Sequence, residues 1–381
     1  MHVCVAHTDR IQTHFTMTPA LSVWMDLCRV LAALAVYVGH SSLLLVAPEG
    51  VSATWQRSAD DAVTAFFVIS GIVIAHTSRQ RLDAGGAGHY ALARLSRVYS
   101  VAIPAVLFAL AVDLIGMRWD PSLYVVDWQY PRLWLHLPFH WLFLGETWFG
   151  AIQPLSMAPY WSLGYEVWYY VLFGCLLYLQ GRTRQRVVVV VLLIMGPRIL
   201  LLWPVWWLGV VLYRRMDRLR VTRAWAWAFM LAAMLGYGVF FLSGLRAETD
   251  AASKALYAWI SRGLPSPFDP GSTVHVLSDY VMALLFALFV VGAAHCGWSF
   301  GDRGARAIRF LAGFTFTFYL IHYTLLLCAQ AMGFGAPSWG IYFVTFLVVC
   351  FFTWVVAQVG ELRRDRYRQW LRALARRLAP E

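Results

Sequence analysis

Ten apolar runs, near 21–46, 60–77, 98–116, 133–149, 160–180, 187–213, 224–244, 279–297, 308–331 and 339–359, leave this chain few ways to fold. The first is long enough to cross a bilayer, and arginine-bearing segments separate many of the others. Hydrophobic residues make up 60% and charged residues 13% of the 381 positions, against about 25% charged in a soluble domain. The composition is that of an integral membrane protein. The net charge of +11 comes in short arginine clusters between apolar runs. That pattern suits anionic lipid headgroups and phosphate, and argues against a nucleic-acid partner. Six scattered cysteines, with no paired spacing, support neither a disulfide framework nor a metal cluster.

Arginine placement orients the runs. Segment 78–97 carries Arg79, Arg81, Arg94 and Arg97 against Asp83, and 181–186 carries Arg182, Arg184 and Arg186. These two, with 214–223, 302–309 and the tail after 361, are assigned to the cytoplasm. Segments 117–132 and 245–278 balance their charges and are assigned outside. An even number of crossings must join 78–97 to 181–186, so one of the three runs between them does not span. Run 133–149, with His136, Pro138, His140 and Glu146, is the one expected to be re-entrant or interfacial, with its backbone covered by protein or water. The same parity splits 187–213 into a hairpin turning near Gly196-Pro197-Arg198. The expectation is an all-α polytopic bundle of about ten transmembrane helices. It has a cytoplasmic tail over 1–20, one membrane domain over 21–360, and a basic cytoplasmic tail over 361–381. No metal is expected, since Pro138 disturbs the i, i+4 spacing of His136 and His140.

The first run holds Asp26, Arg29 and His40. Arg29 and His40 are eleven positions apart, about 20° beyond three turns and about 16 Å along the axis, so they share a face at two depths. Asp26 lies three before Arg29, at pairing distance, and is expected to orient it. Ionisable groups in a span face a bundle interior or an aqueous cavity. The plain alternative is an interfacial ion pair and a packing histidine. Arg94 and Arg97, three apart, can point two guanidiniums at one polyanion, or snorkel to lipid phosphates.

These residues resemble the acyltransferase-3 membrane acyltransferases over roughly 21–359. Met25-Asp26-Leu27-Cys28-Arg29 through Gly39-His40 is similar to the family's opening, with its R-x10-H spacing. Phe66-Phe67-Val68-Ile69-Ser70-Gly71, Arg94-Leu95-Ser96-Arg97, Tyr160-Trp161-Ser162-Leu163-Gly164-Tyr165-Glu166-Val167-Trp168-Tyr169-Tyr170 and Phe318-Tyr319-Leu320-Ile321-His322 resemble its later blocks. Thr64 departs from the pattern, since many members carry an acidic residue there.

The resemblance implies an acyl-CoA co-substrate, acetyl-CoA by default, and a carbohydrate or small hydroxylated acceptor reached from the membrane or the outer side. Arg29, Arg94 and Arg97 would hold the donor. His40 would act as general base or brief acyl carrier. Glu166 would orient His40 or bind sugar hydroxyls, its structural alternative being a pair with Arg198. Trp161, Tyr165 and His322 are candidate acceptor contacts, with packing as the alternative for each. The expected setting is a bacterial inner membrane with both termini cytoplasmic. A transporter or flippase of a lipid-linked glycan would also use buried charges, but it requires neither the RxxR pair nor the R-x10-H register. A glycan polymerase would call for a larger external loop.

Overall fold

The computed structural model describes residues 17–48, 53–79, 86–124, 129–148, 152–262, 270–335 and 338–378. Its helices are α1 (Pro19–Leu43), α2 (Ser58–Arg79), α3 (Gly86–Gly116), α4 (Leu133–Trp141), α5 (Tyr160–Tyr178), α6 (Gly181–Arg215), α7 (Arg223–Leu242), α8 (Leu245–Ile260), α9 (Val276–His295), α10 (Asp302–Ala312), α11 (Thr315–Ala331), α12 (Trp339–Val359) and α13 (Arg364–Leu378). Caps mark several starts. The Thr18 hydroxyl accepts from the Leu21 amide at 3.2 Å with Pro19 following, and Thr222 and Ser338 cap α7 and α12 in the same manner.

Among the described residues, seven helices are long and apolar enough to cross a membrane, or eight if α10 and α11, bent by 49°, form one span. The expected ten also included α5 and a divided α6, which are not separate spans in this count of seven or eight. α5 is 19 residues long, and Glu166 and its tyrosines lower its hydropathy. α6 counts once by length, yet Gly196 breaks it at φ 72°, ψ 172°, a backbone state that glycine adopts readily. The arms on either side run in opposite senses. The 181–195 arm starts three residues after α5 ends, and the Trp148 indole donates to Leu193 O near its far tip. The 197–215 arm returns, so that Tyr213 bonds His76 at 2.9 Å and Arg214 stacks over Phe173 near the end where α5 finishes. The hairpin at Gly196 is therefore present.

α2 and the second arm of α6 cross at glycines. A Cβ on Gly71 would lie 2.1 Å from Trp206 O, and one on Gly209 would lie 2.1 Å from Val68 O. Only glycine permits this approach, and it packs Trp206, Tyr169 and Tyr165 into the centre with essentially no exposed surface. α4 and the segment after it occupy the stretch expected to be re-entrant or interfacial, and α4, at nine residues, is too short to cross a membrane. Side chains of the neighbouring helices satisfy its carbonyls. Tyr99 donates to Trp141 O at 2.9 Å, Tyr160 to His140 O at 3.0 Å, and Trp168 to Phe143 O at 2.9 Å. Non-helical backbone tolerates apolar surroundings only when covered in this way.

The segments rich in arginine gather at one end. Arg94 bonds Thr77 there, and Arg368 of α13 bonds His89 at 3.0 Å. α10 and α13 are strongly amphipathic, with Arg303, Arg306 and Arg309 on one and Arg366, Arg368 and Arg372 on the other, as befits helices lying in an interface plane.

Candidate active site

A cavity of about 70 Å³ opens in the arginine-rich half between α1, α2, α3, α5 and α11, and Arg29, Ser70, Arg97, Ser162, Glu166 and Tyr319 are among its lining residues. Arg29 keeps the predicted contact with Asp26, Nη1 to Oδ1 at 3.1 Å, with both side chains about one-fifth exposed. Arg97 makes no hydrogen bond to any described residue, and its donors are left for the cavity. Arg94 behaves differently from its partner in the motif. It is buried, donates from Nη2 to Thr77 Oγ1 at 3.1 Å, and lies 5.9 and 6.0 Å from the rings of Tyr90 and Tyr170. Three residues of helix are 60° short of a full turn, which is enough to send one arginine into the cavity and the other into the wall.

Glu166 does not reach His40, and it does not pair with Arg198. Its Oε1 accepts from Ser70 Oγ at 2.5 Å and from the Tyr170 hydroxyl, and Ser70 in turn accepts from Trp206 Nε1 at 3.1 Å. The carboxylate is thus held at the cavity wall by donors from α5 and α2. Arg198 pairs instead with Glu146 of the segment after α4 at 3.4 Å, both buried. Tyr165 offers an acceptor no surface, being completely buried against Phe67, Trp161 and Tyr169. Trp161 stacks edge-on against Phe67 and Tyr165. Tyr165 is enclosed by this packing, while Trp161 is only half-buried.

The two motif histidines meet. His40 Nδ1 lies 2.8 Å from His322 Nε2, and His322 Nδ1 lies 3.1 Å from Phe318 O. A carbonyl only accepts, so His322 carries its proton on Nδ1 and presents a lone pair at Nε2. His40 must then donate from Nδ1, which leaves the lone pair on its own Nε2. That nitrogen has no hydrogen-bond partner among the described residues. Tyr323 stands edge-on to His40 at 5.1 Å, and Tyr319, bonded to Ser162 at 2.8 Å, links the pair to the cavity below.

Two features replace carboxylates or anions. Thr64, where an acidic residue was expected, donates to Asp279 Oδ1 at 3.0 Å, both buried. A carboxylate from α9 therefore stands beside that position. Glu361 accepts from the Thr317 amide and hydroxyl at 3.0 and 2.8 Å at the first turn of α11, the end at which a helix favours negative charge. In α4, burial and then neighbouring His136 push His140 down to about 3. Burial, followed by Arg132, lowers His136. Both rings are neutral around pH 7, and they stack at 6.3 Å.

Sequence reasoning passed over Ser70, Tyr170, Ser162 and Tyr319 as individual site residues. Their signal was present, since Tyr170 lies four after Glu166, and Ser70 and Tyr319 lie inside the quoted blocks.

No curated protein and no solved structure gives a significant match. A family model described as "Acyltransferase domain" matches residues 22–358. That span contains both histidines, both cavity arginines and Glu166, and this integral membrane protein accordingly belongs to the acyltransferase-3 family of membrane acyltransferases.

Proposed function

We propose that the protein moves an acyl group from a cytoplasmic acyl-CoA, acetyl-CoA being the simplest, to a hydroxyl of a sugar or glycan-type acceptor. In this reading the arginine-rich end and both termini face the cytoplasm. The observation that carries it is the His40–His322 pair, whose hydrogen bonds leave His40 Nε2 as an available base above a cavity with two cationic walls.

Arg97, assisted by Arg29, binds donor phosphate through guanidinium hydrogen bonds. The thioester arm extends past Tyr319 toward the histidines. His40 Nε2 takes the proton of the acceptor hydroxyl as its oxygen attacks the thioester carbonyl carbon. The carbon–sulfur bond breaks, and the proton passes to sulfur, so the products are an ester and CoA thiol. His322 shares the positive charge that develops on His40 through the 2.8 Å contact, and the Phe318 carbonyl keeps His322 in the tautomer that permits this. Glu166, fixed by Ser70 and Tyr170, is placed to orient Arg29 and Arg97 or a donor amide rather than the base.

Reconstituted protein given labelled acetyl-CoA and a sugar acceptor should release CoA thiol. His40→Ala should slow release by roughly 10²–10⁴-fold with donor affinity retained. Full activity in a folded His40→Ala protein would remove the catalytic assignment. Movement of a lipid-linked glycan across vesicles without CoA release would favour a transporter.

A further inference from the structure

A second hollow, of about 350 Å³, opens on the other side of α11, between α1, α10 and α12. Val30, Ala33, Phe318, Phe346 and Cys350 form much of its wall, which is almost wholly apolar. Two observations join it to the site. Thr315 lines both this groove and the arginine cavity. Phe318 belongs to the groove wall, and its ring is stacked on His322 at 5.8 Å and 12°. Thr315, Phe318 and His322 fall at i, i+3 and i+7, on one stripe of α11. The groove therefore follows that stripe from the edge of the donor cavity to Phe318, whose other face backs onto His322.

We propose that this groove receives the hydrocarbon chain of the donor's acyl group, and that the group transferred is a straight chain longer than acetyl. This deepens the acyl-CoA reading and rests on it. A polyhydroxylated acceptor would lose its hydrogen bonds against such walls. Of the two substrates, only the acyl chain is apolar enough to be stabilised there. With the thioester carbonyl at His40, the pantetheine arm descends into the polar cavity on one side of Thr315, and the chain descends into the groove on the other. When the acceptor oxygen bonds to the carbonyl carbon and the sulfur leaves as thiol, the chain withdraws as part of the ester.

Burying one methylene favours binding by roughly fourfold at full burial, and by less where the groove faces lipid. The test is a series of acetyl-, butyryl-, hexanoyl- and octanoyl-CoA with reconstituted wild type, read as kcat/KM for CoA release. Cys350→Trp on α12 and Ala33→Leu on α1 fill the groove from opposite walls. Each is judged by its octanoyl-to-acetyl ratio within one preparation, so a general loss of folded protein cancels. A wild-type rate that climbs with chain length, with a ratio that drops at least tenfold in either variant, is the expected result. A wild type that uses acetyl-CoA best, or a ratio unmoved by both variants, overturns the proposal and leaves the groove to bilayer lipid. Release from no acyl-CoA of any length would strike the donor reading itself.

Discussion

Arg246 and Arg97 are both arginines inside a membrane protein, and they use their donors in opposite ways. Nη1 of Arg246 bonds both Asp61 oxygens at 2.8 and 2.6 Å, while Asp61 also accepts from Tyr237 at 3.0 Å. Around them Asp250 takes Arg57 at 2.9 Å and Ser278 at 2.6 Å. This network ties α2, α8 and α9 together and engages both Nη atoms of Arg246, leaving only its Nε without a bond among the described residues. Arg97 lies at a cavity wall with Arg29 and Glu166 and bonds none of the described residues. The cost of placing a cation in apolar surroundings is offset by direct hydrogen bonds at one place, and at the other by the nearby charges of Glu166, Glu361 and Asp26, which leave the guanidinium's donors open. Burial alone therefore does not distinguish a structural arginine from a binding one. The occupancy of its donors does.

The contrast should show most strongly in stability. Arg246→Ala leaves the Asp61 carboxylate buried beside no cation, and should destabilise the fold by about 3–5 kcal/mol, read as a fall in the thermal midpoint in detergent. Replacing both partners, Arg246→Met with Asp61→Leu, should recover much of that loss. If the single change leaves the midpoint in place, the network is not structural. Arg97→Ala should do the reverse. It should weaken acyl-CoA binding by about 1.5–3 kcal/mol, or roughly 10- to 100-fold, with the midpoint unmoved. A fall in midpoint without a change in donor affinity would place Arg97 with Arg246. Arg94→Ala gives the smallest effect and the sharpest discrimination within the RxxR motif. It should cost about 1–2 kcal/mol of stability through its aromatic contacts and leave the donor Kd within twofold. Loss of donor binding would return Arg94 to the site.

The parts of the molecule governed by local rules were legible in the sequence. Asp26 and Arg29 meet because three residues on a helix are neighbours whatever surrounds them. Gly196-Pro197 was readable as a reversal, and charge parity with Pro138 pointed to 133–149 as the run that does not span, where α4 is only nine residues long. The site depended on partners between helices, and periodicity does not supply those. Nothing local joins His40 to His322, 282 positions away, or Arg198 to Glu146. Equal spacing made Arg94 and Arg97 look equivalent, and only the tyrosines of α3 and α5 separate them. Glu166 was linked to His40 because both are unusual in a span, but its real partners are a serine and a tyrosine. Thr64 looked like a missing carboxylate until α9 brought Asp279 beside it.

The break at Gly196 also bears on the bilayer. Its arms, 181–195 and 197–215, are about 22 and 28 Å long. The first opens with the arginine-bearing 181–186, leaving about 13 Å of apolar helix against a hydrocarbon layer of about 30 Å. Lipid alongside the shorter arm must thin to match it, or the flanking arginines must reach outward. The arm's tip is the place where Trp148, in the segment after α4, docks. The membrane is therefore expected to dip at that point, so that a hydrophilic molecule arriving from that side meets a shallower oil layer there than over the rest of the perimeter.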